Sequence, residues 1–408
     1  MNKVWRGFFY LILIIYPFGQ LFRLSLTSVL PGLRIQPFEV AIFVFIAFWF
    51  FRKLKLKENF KPALFVKEMA IFGLIAFLSL FLKIGQLKAS EFIVSFFYLV
   101  RYFEFVFFYW SATDFLIAQK LSLKKYLLLL GLAVAILSLE QYLIFPDMRL
   151  LLNLGWDEHY FRAIGPFLDP AFTGIVLCLA FLVWLNNLEK GNFLFLVEGI
   201  FLLLVIGLTF SRLTYLALFL GVSYFSLAKK KFQFLSLVFL LLAIVLVAPK
   251  PGGEGVNLLR TNSLDAKLKN YGQALTIIKK NFWLGVGFNA YRFAQRDHSF
   301  LSPKDWQNSN AGAGTDDSFL FVLATTGIFG LSAFLWLWIK IMTYAAAKSP
   351  FLLLPSGIVI LTSSFFVNCL FYPWVVFWLW LLVAEVTVQK KLSSQAGSDF
   401  GPDQCKQS

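Results

Sequence analysis

Charge is scarce in this chain: Asp, Glu, Lys and Arg make up 14% of its 408 residues, against roughly a quarter in an ordinary soluble protein. That deficit, with 59% hydrophobic residues and 51 Phe, excludes a soluble globular protein. Histidine occurs twice, as His159 and His298, and neither has a visible catalytic partner, so a surface role is the expectation for each. Three cysteines, Cys178 and Cys369 within apolar runs and Cys405 in the tail, point to neither a disulfide framework nor a zinc site. Also missing are a fixed-period repeat, a glycine-rich nucleotide loop and the strict alternation that a membrane barrel needs.

What remains is a succession of continuous apolar windows, each about 20 residues long and sufficient to span a bilayer. Continuous runs imply helices, because hydrocarbon offers the backbone no outside partners. The expected fold class is therefore all-α: a polytopic membrane protein of about twelve spans. These fall near 8–24, 38–51, 66–82, 91–110, 126–145, 170–186, 193–209, 213–228, 232–248, 317–339, 351–369 and 371–388. The second is short and must borrow from its flanks. Four regions follow: helices one to nine (1–248), a polar outer loop (249–316), helices ten to twelve (317–388) and a tail (389–408).

The net charge of +15 invites a nucleic-acid partner, but the placement of the charge argues against one. Lysines cluster between windows, as in "RKLKLKENFK" (52–61) and "KKK" (229–231), which marks cytoplasmic loops. With the N-terminus inside, inner segments hold 20 of the 37 Lys and Arg and the short outer segments 7. Both termini are thus expected in the cytoplasm. Lys3 and Arg6 precede an apolar stretch with no small-residue cleavage site, which reads as a retained first span.

Two outer segments stand out. The first, 146–169, ends in "FRAIGPFLDPAFTG", where Asp169-Pro170 is an N-cap acid followed by proline at the first helical position. The second, 249–316, opens on the turn-forming "PKPGGEG". It carries Leu264, Leu268, Tyr271, Leu275 and Ile278 as one stripe of an amphipathic helix, expected to lie along the membrane surface.

Arg212, in "GLTFSRLTYLAL", is the sharpest single residue. A charge flanked by apolar residues is a functional hypothesis by default, although a snorkelling interfacial arginine is the plain alternative. Its planar fork suits a phosphate. Arg162, Arg260, Lys267, Lys269, Arg292 and Arg296 are outer-side cations by the same topology, ordinary solvated charges singly, yet together compatible with an anionic substrate. Asp316 and Asp317 head the tenth window, where either acid, or Thr315, can cap the helix. A metal site is disfavoured there, since adjacent helical residues diverge by about 100° and no His or Cys cluster accompanies them. Arg101 and Glu104, three apart, could pair within the membrane; Glu140 and Glu198 also lie in apolar runs.

Four blocks carry a family resemblance. "FSRLTYLALFLG" resembles the Ser-Arg segment that precedes a span in the O-antigen ligase and O-antigen polymerase superfamily. "YGQALTIIKKNFWLGVGFNAY" is similar to its amphipathic helix, Gly-x-Gly turn and aromatic. "DDSFLFVLATTGIFGLSAFL" resembles its "His-Asn-x-x-Leu … Gly-x-x-Gly-Leu" block, and "RAIGPFLDPAFTG" an earlier block that usually reads "Arg-x-x-Gly-x-Phe … Pro-Asn". The chain departs at Asp316 for the family's His, at Asp317 for the following Asn, at Ala171 in the Pro-Asn pair, and at Lys267, where Arg is frequent.

The resemblance implies a metal-independent, inverting glycosyltransferase of the bacterial plasma membrane with no cofactor. It would move a glycan from a polyprenyl-pyrophosphate carrier to a hydroxyl on a lipid, glycan or protein at the outer face. Ligase and polymerase are both open. By carry-over Arg212 holds the pyrophosphate and Asp316 or Asp317 serves as base. Arg162, Arg260, Lys267, Arg292 and Tyr215 are candidate substrate contacts. The rival class is a lipid-linked glycan transporter, which calls for midplane charges and repeated, broken helices.

The topology is testable directly. Cysteines placed at Asn257 and Ser309 are expected to react with an impermeant thiol reagent in whole cells, and one at Lys230 is not; labelling at 230 with protection at 257 would invert the orientation.

Overall fold

A computed structural model describes residues 2–26, 30, 32–154, 156–188, 192–248, 254–302, 306–307 and 314–398. The turn at 249–253, Ser309 and Cys405 lie outside these residues. The described chain is a helical membrane protein, and helices occupy the apolar windows in order. They are α1 (Asn2–Ile15), α2 (Pro37–Lys55), α3 (Val66–Phe81), α4 (Ala89–Gln119), α5 (Lys124–Ile144), α6 (Pro170–Asn187), α7 (Phe193–Leu208), α8 (Arg212–Lys229) and α9 (Ser236–Val247). In the polar segment come α10 (Asn262–Lys280) and α11 (Tyr291–Asp297), followed by α12 (Ser318–Lys348), α13 (Leu353–Ser364) and α14 (Pro373–Ser398). Four of them, α4, α5, α6 and α12, are long and apolar enough on those criteria alone to cross a membrane; shorter apolar helices cover 193–208, 232–247, 353–364 and 373–389.

Local chemistry sets the helix starts. Asp169 Oδ1 accepts from Ala171 N at 2.7 Å and Phe172 N at 3.0 Å, with Pro170 at the first position. Asn192 caps α7 and Ser211 caps α8 in the same manner. As its short window required, α2 extends into both flanks, from Pro37 to Lys55. The first window needs correction: its helix runs from Asn2 to Ile15, not 8–24. Pro17 and the turn at Gly19 end it, and Gln20 N then donates to Pro166 O at 2.8 Å, tying the chain to the 165–167 turn. Beyond the turn a two-residue hairpin pairs β1 (Leu24–Ser25) with β2 (Arg34–Ile35).

Lipid tails are as apolar as leucine, so helix association relies on shape and on internal polar contacts. Aromatic rings fill the seam of α1, α2, α4 and α14: Phe9 stacks on Phe115 at 4.6 Å, Phe108 on Phe377 at 4.9 Å, and Trp5, Trp374 and Trp378 are fully buried. Glu385 on α14 accepts from Ser122 Oγ at 2.7 Å and Leu123 N at 2.8 Å, locking the α4–α5 turn. Arg101 does not pair with Glu104. Its Nε lies 2.6 Å from Glu39 Oε1 on α2, and Nη2 donates to Arg34 O at 2.7 Å. A residue on a neighbouring helix offers better geometry than one a turn away.

The amphipathic helix forms, with its buried face shifted from the expected stripe. Ala274, Ile277 and Ile278 pack with Phe321 and Ala324 of α12, whereas Leu264, Leu268 and Leu275 are exposed. Behind it, α12 is broken at Gly327 (φ 66°, ψ −168°). The backbone groups released there pair with the strand-like stretch 282–287. Val286 N donates to Ala324 O at 2.9 Å, Gly287 N to Thr325 O at 3.1 Å, and Ile328 N to Phe282 O at 2.9 Å. The Ser79 hydroxyl lies 2.7 Å from both Leu284 O and Thr325 O, closing the knot from α3. A Cβ on Gly327 would sit 2.1 Å from Trp283 O, and one on Gly285 2.3 Å from the Thr325 carbonyl carbon.

Gly327→Ala is therefore expected to lower the unfolding temperature in detergent sharply. Its backbone conformation alone costs a non-glycine residue about 1–3 kcal/mol, before the clash. Gly272→Ala, where nothing lies within 4 Å of the new Cβ, should be neutral or mildly stabilising; equal behaviour of the two variants would remove the break from the fold's foundations.

Candidate functional site

A cavity of about 1140 Å³ opens where the 146–169 segment, the polar loop and the head of α12 meet. Its walls bring together five of the predicted site residues: Arg162, Arg212, Arg260, Lys267 and Asp316. Asp317, Tyr215 and Arg292 are not on those walls.

Arg162 is buried. Its Nε donates to Thr209 O at 3.0 Å and Nη2 to Phe210 O at 3.2 Å, the carbonyls left over where α7 ends. A cation is favoured at a helix C-terminus, which fixes this side chain at the junction from which α8 starts. Burial, with Arg260 nearby, lowers its pKa to about 10, so it stays charged at neutral pH. Arg212 is the first residue of α8 and is exposed; its Nη1 donates to Arg260 O at 2.9 Å and Leu258 O at 3.3 Å. Arg260 Nη1 in turn donates to Gly255 O at 2.8 Å and Asn257 O at 2.9 Å. Backbone carbonyls thus help to anchor all three guanidinium groups.

Lys267 reaches from α10 to the Phe366 carbonyl and lies 3.6 Å from Asp316 Oδ2. Asp316 is placed by its own backbone, whose N donates to Asn270 Oδ1 at 2.9 Å. Its side chain is 41% exposed, facing the cavity. Surrounding protein raises its pKa from the ordinary 3.8; Lys267 opposes the rise and Asp169 adds to it. The two adjacent acids therefore divide their labour. Asp317 Oδ1 accepts from Phe319 N at 2.7 Å and Leu320 N at 2.8 Å, so it is the N-cap of α12, while Asp316 looks into the cavity.

Two other expected contacts have structural roles. The Tyr215 hydroxyl donates to Gly207 O, and Arg292, buried near Gly32, donates to Trp306 O. Of the intramembrane charges, Arg101 lines the cavity, whereas Glu104, Glu140 and Glu198 do not. Among the described residues no three or more His, Cys, Asp or Glu side chains are grouped as a metal ion would require.

Several wall residues carry no motif. The pKa of Asp157 is raised from the ordinary 3.8 by the surrounding protein, with Asp169 and Asp316 adding to the effect, although its side chain remains exposed. His159, expected at the surface, is buried, 5% exposed. Burial and then Arg162 push its pKa down to about 4, so the ring is neutral at pH 7, and Nδ1 has no hydrogen-bond partner. The run "WDEHY" (156–160) was the available signal: five consecutive polar or aromatic residues shortly before Arg162. His298 stays apart from the cavity, its Nε2 3.3 Å from Lys280 Nζ. Towards the bundle interior the wall becomes apolar, with Met69, Phe105, Phe334, Leu337, Trp338 and Leu379 from α3, α4, α12 and α14.

Fold and cavity together define a helical membrane protein with a strongly cationic chamber at one end. A family model described as O-antigen ligase matches residues 198–335, a stretch running from within α7 into α12. That segment is similar to the O-antigen ligase family and contains three of the four motif blocks. No curated protein matches the chain.

The cap assignment for Asp317 predicts a split between two substitutions. Asp317→Asn should leave thermal stability in detergent nearly unchanged, because Asn caps as well as Asp, while Asp317→Ala should lose about 1 kcal/mol. Equal stability of the two would show that the cap is not what Asp317 contributes.

Proposed function

We propose that this chain is an inverting glycosyltransferase of the ligase/polymerase type. It transfers a glycan from a polyprenyl-pyrophosphate carrier to an acceptor hydroxyl at the outer face of the bacterial plasma membrane. The observation that carries the reading is Asp316, a cavity-facing carboxylate 3.6 Å from Lys267, in a chamber that also holds Arg162, Arg212 and Arg260.

The chemistry follows from that pairing. The acceptor oxygen attacks the anomeric carbon from the face opposite the carrier, forming the new glycosidic bond and inverting the centre. The bond from the anomeric carbon to the phosphate oxygen breaks, and polyprenyl pyrophosphate leaves with the electron pair. Asp316 takes the hydroxyl proton as the nucleophile forms. Negative charge grows on the pyrophosphate as the bond breaks, and preorganised guanidinium and ammonium groups stabilise it at that moment. Carbonyl anchoring suits this role, because it orients the guanidinium groups before the substrate binds. The apolar inner wall suits the hydrocarbon of the carrier. The acceptor is a hydroxyl on a lipid, a growing glycan or a protein.

The transporter alternative draws support from the broken helix α12, but the backbone groups freed at Gly327 are met by residues 282–287, leaving none of that polar surface for cargo.

Purified protein with a lipid-pyrophosphate-linked glycan tests the proposal. Asp316→Asn should lose roughly 10²-fold or more in turnover, and Arg212→Lys should be impaired along with Arg212→Ala, since an ammonium lacks the bidentate fork. A base with a raised pKa is protonated, and lost, as pH falls through that raised value. The acid limb should therefore lie above ~3.9, and Asp316→His should move it towards ~6.5. Full activity in Arg212→Ala would sink the donor assignment; full activity in Asp316→Asn with loss in Asp157→Asn would pass the base role to Asp157.

A further inference from the structure

The cavity has a second basic wall that no motif marks, built from the segment between α1 and α2. Arg23 follows the turn that ends α1, Arg34 stands in β2, and both line the chamber with Arg101. Arg101 is matched by Glu39 at 2.6 Å. Arg23 is not matched: its guanidinium lies 4.8 Å over the ring of Trp156, and among the described residues it makes no ion pair or hydrogen bond. Half-buried beside Arg34, it has its pKa lowered to about 10, burial being the larger cause and the second guanidinium adding to it. A guanidinium held over an indole face by this contact still has N–H groups to offer a planar anion. An unmatched guanidinium in a partly desolvated wall, as Arg23 is, is unfavourable unless a ligand supplies the opposite charge.

A neighbouring group narrows the ligand. Gln36 is 4% exposed and lines the same wall; its Nε2 donates to Gln20 Oε1 at 2.8 Å, yet its Oε1 has no hydrogen-bond partner. A buried, unmet acceptor calls for a hydroxyl or N–H donor. Phe172 and Tyr372, stacked at 3.9 Å, also belong to the chamber and offer a flat apolar surface. An anion that also carries hydroxyls and a ring face is an acidic sugar.

We infer that the Arg23–Arg34 wall is a subsite for an acidic sugar of the acceptor, a uronic acid or a sugar phosphate. It is separate from the cationic group proposed for the donor pyrophosphate. That the sugar belongs to the acceptor rests on the transferase reading; the anion subsite itself does not.

The test uses full-length protein in phosphatidylcholine nanodiscs and three probes: a uronic-acid tetrasaccharide, its neutral methyl ester, and inorganic pyrophosphate. The wild type should bind the acid about tenfold or more tightly than the ester, as a charge-assisted contact implies. Arg23→Gln and Arg34→Gln should abolish that preference and leave pyrophosphate binding as it was. Arg212→Gln should do the reverse. Equal binding of acid and ester by the wild type would overturn the subsite, as would a preference that survives Arg23→Gln. If Arg23→Gln weakens pyrophosphate as well, Arg34→Gln decides, and a preference retained there overturns the proposal. Loss of the preference on adding phosphatidylglycerol would assign the wall to lipid headgroups and overturn the acceptor assignment. Pyrophosphate binding insensitive to Arg212→Gln would instead count against the donor reading and leave this subsite standing.

Discussion

The architecture depends on a repaired break. An apolar helix cannot release backbone N–H and C=O groups into hydrocarbon without replacement partners, each unmet group being costly. At Gly327 the chain releases them, and residues 282–287 supply the replacements. The repair couples three distant parts of the sequence: α3 through Ser79, the middle of the polar loop through Gly285 and Gly287, and α12 itself. Because the loop is held at that point, α10 is drawn against the N-terminal half of α12, and Lys267 comes within reach of Asp316. The position of the cavity's single acid–lysine pair is thus a consequence of a backbone constraint some three turns deeper in the helix.

A second constraint governs the cations. Arginines near a membrane surface are readily swept to water or headgroups. Here Arg162, Arg212 and Arg260 are restrained by carbonyl oxygens at the end of α7 and in the 255–260 loop. Carbonyls carry partial charges, so these contacts orient each guanidinium. The ion pair of Arg101 with Glu39 instead joins α2 to α4 and helps hold the bundle. Arginines of one chemical type thus take different structural parts according to what faces them.

Hydrophobic run length carried most of the fold. Windows of sufficient length became helices because the backbone has no other way to satisfy itself in hydrocarbon, and caps such as Asp169-Pro170 and Asp317 acted where they stand in the chain. The first window misled because hydropathy ignores Pro17, which stops α1 while the apolar composition continues. The stripe on α10 misled for a different reason. Leu264, Leu268 and Leu275 belong to the apolar stripe of that helix, but the face that packs is set by where α12 lies. Of the stripe Ile278 is buried, joined by Ala274 and Ile277.

What the sequence by itself determined was the solvent and the element type: a chain this poor in charge must live in a membrane, as helices, with its polar loop gathered between two of them. The motif blocks also carried Arg212, Lys267 and Asp316 into one neighbourhood. Tertiary structure alone decided the rest. Asp316 faces the cavity while its neighbour Asp317 is consumed as a cap, Arg292 turns to a backbone carbonyl, and His159 is buried on the chamber wall. Arg23, more than a hundred residues from Trp156 in sequence, stacks upon it. Composition and periodicity are properties of a segment, readable along the chain. Which side chain meets which depends on how whole helices pack, and that is set by contacts summed over the bundle.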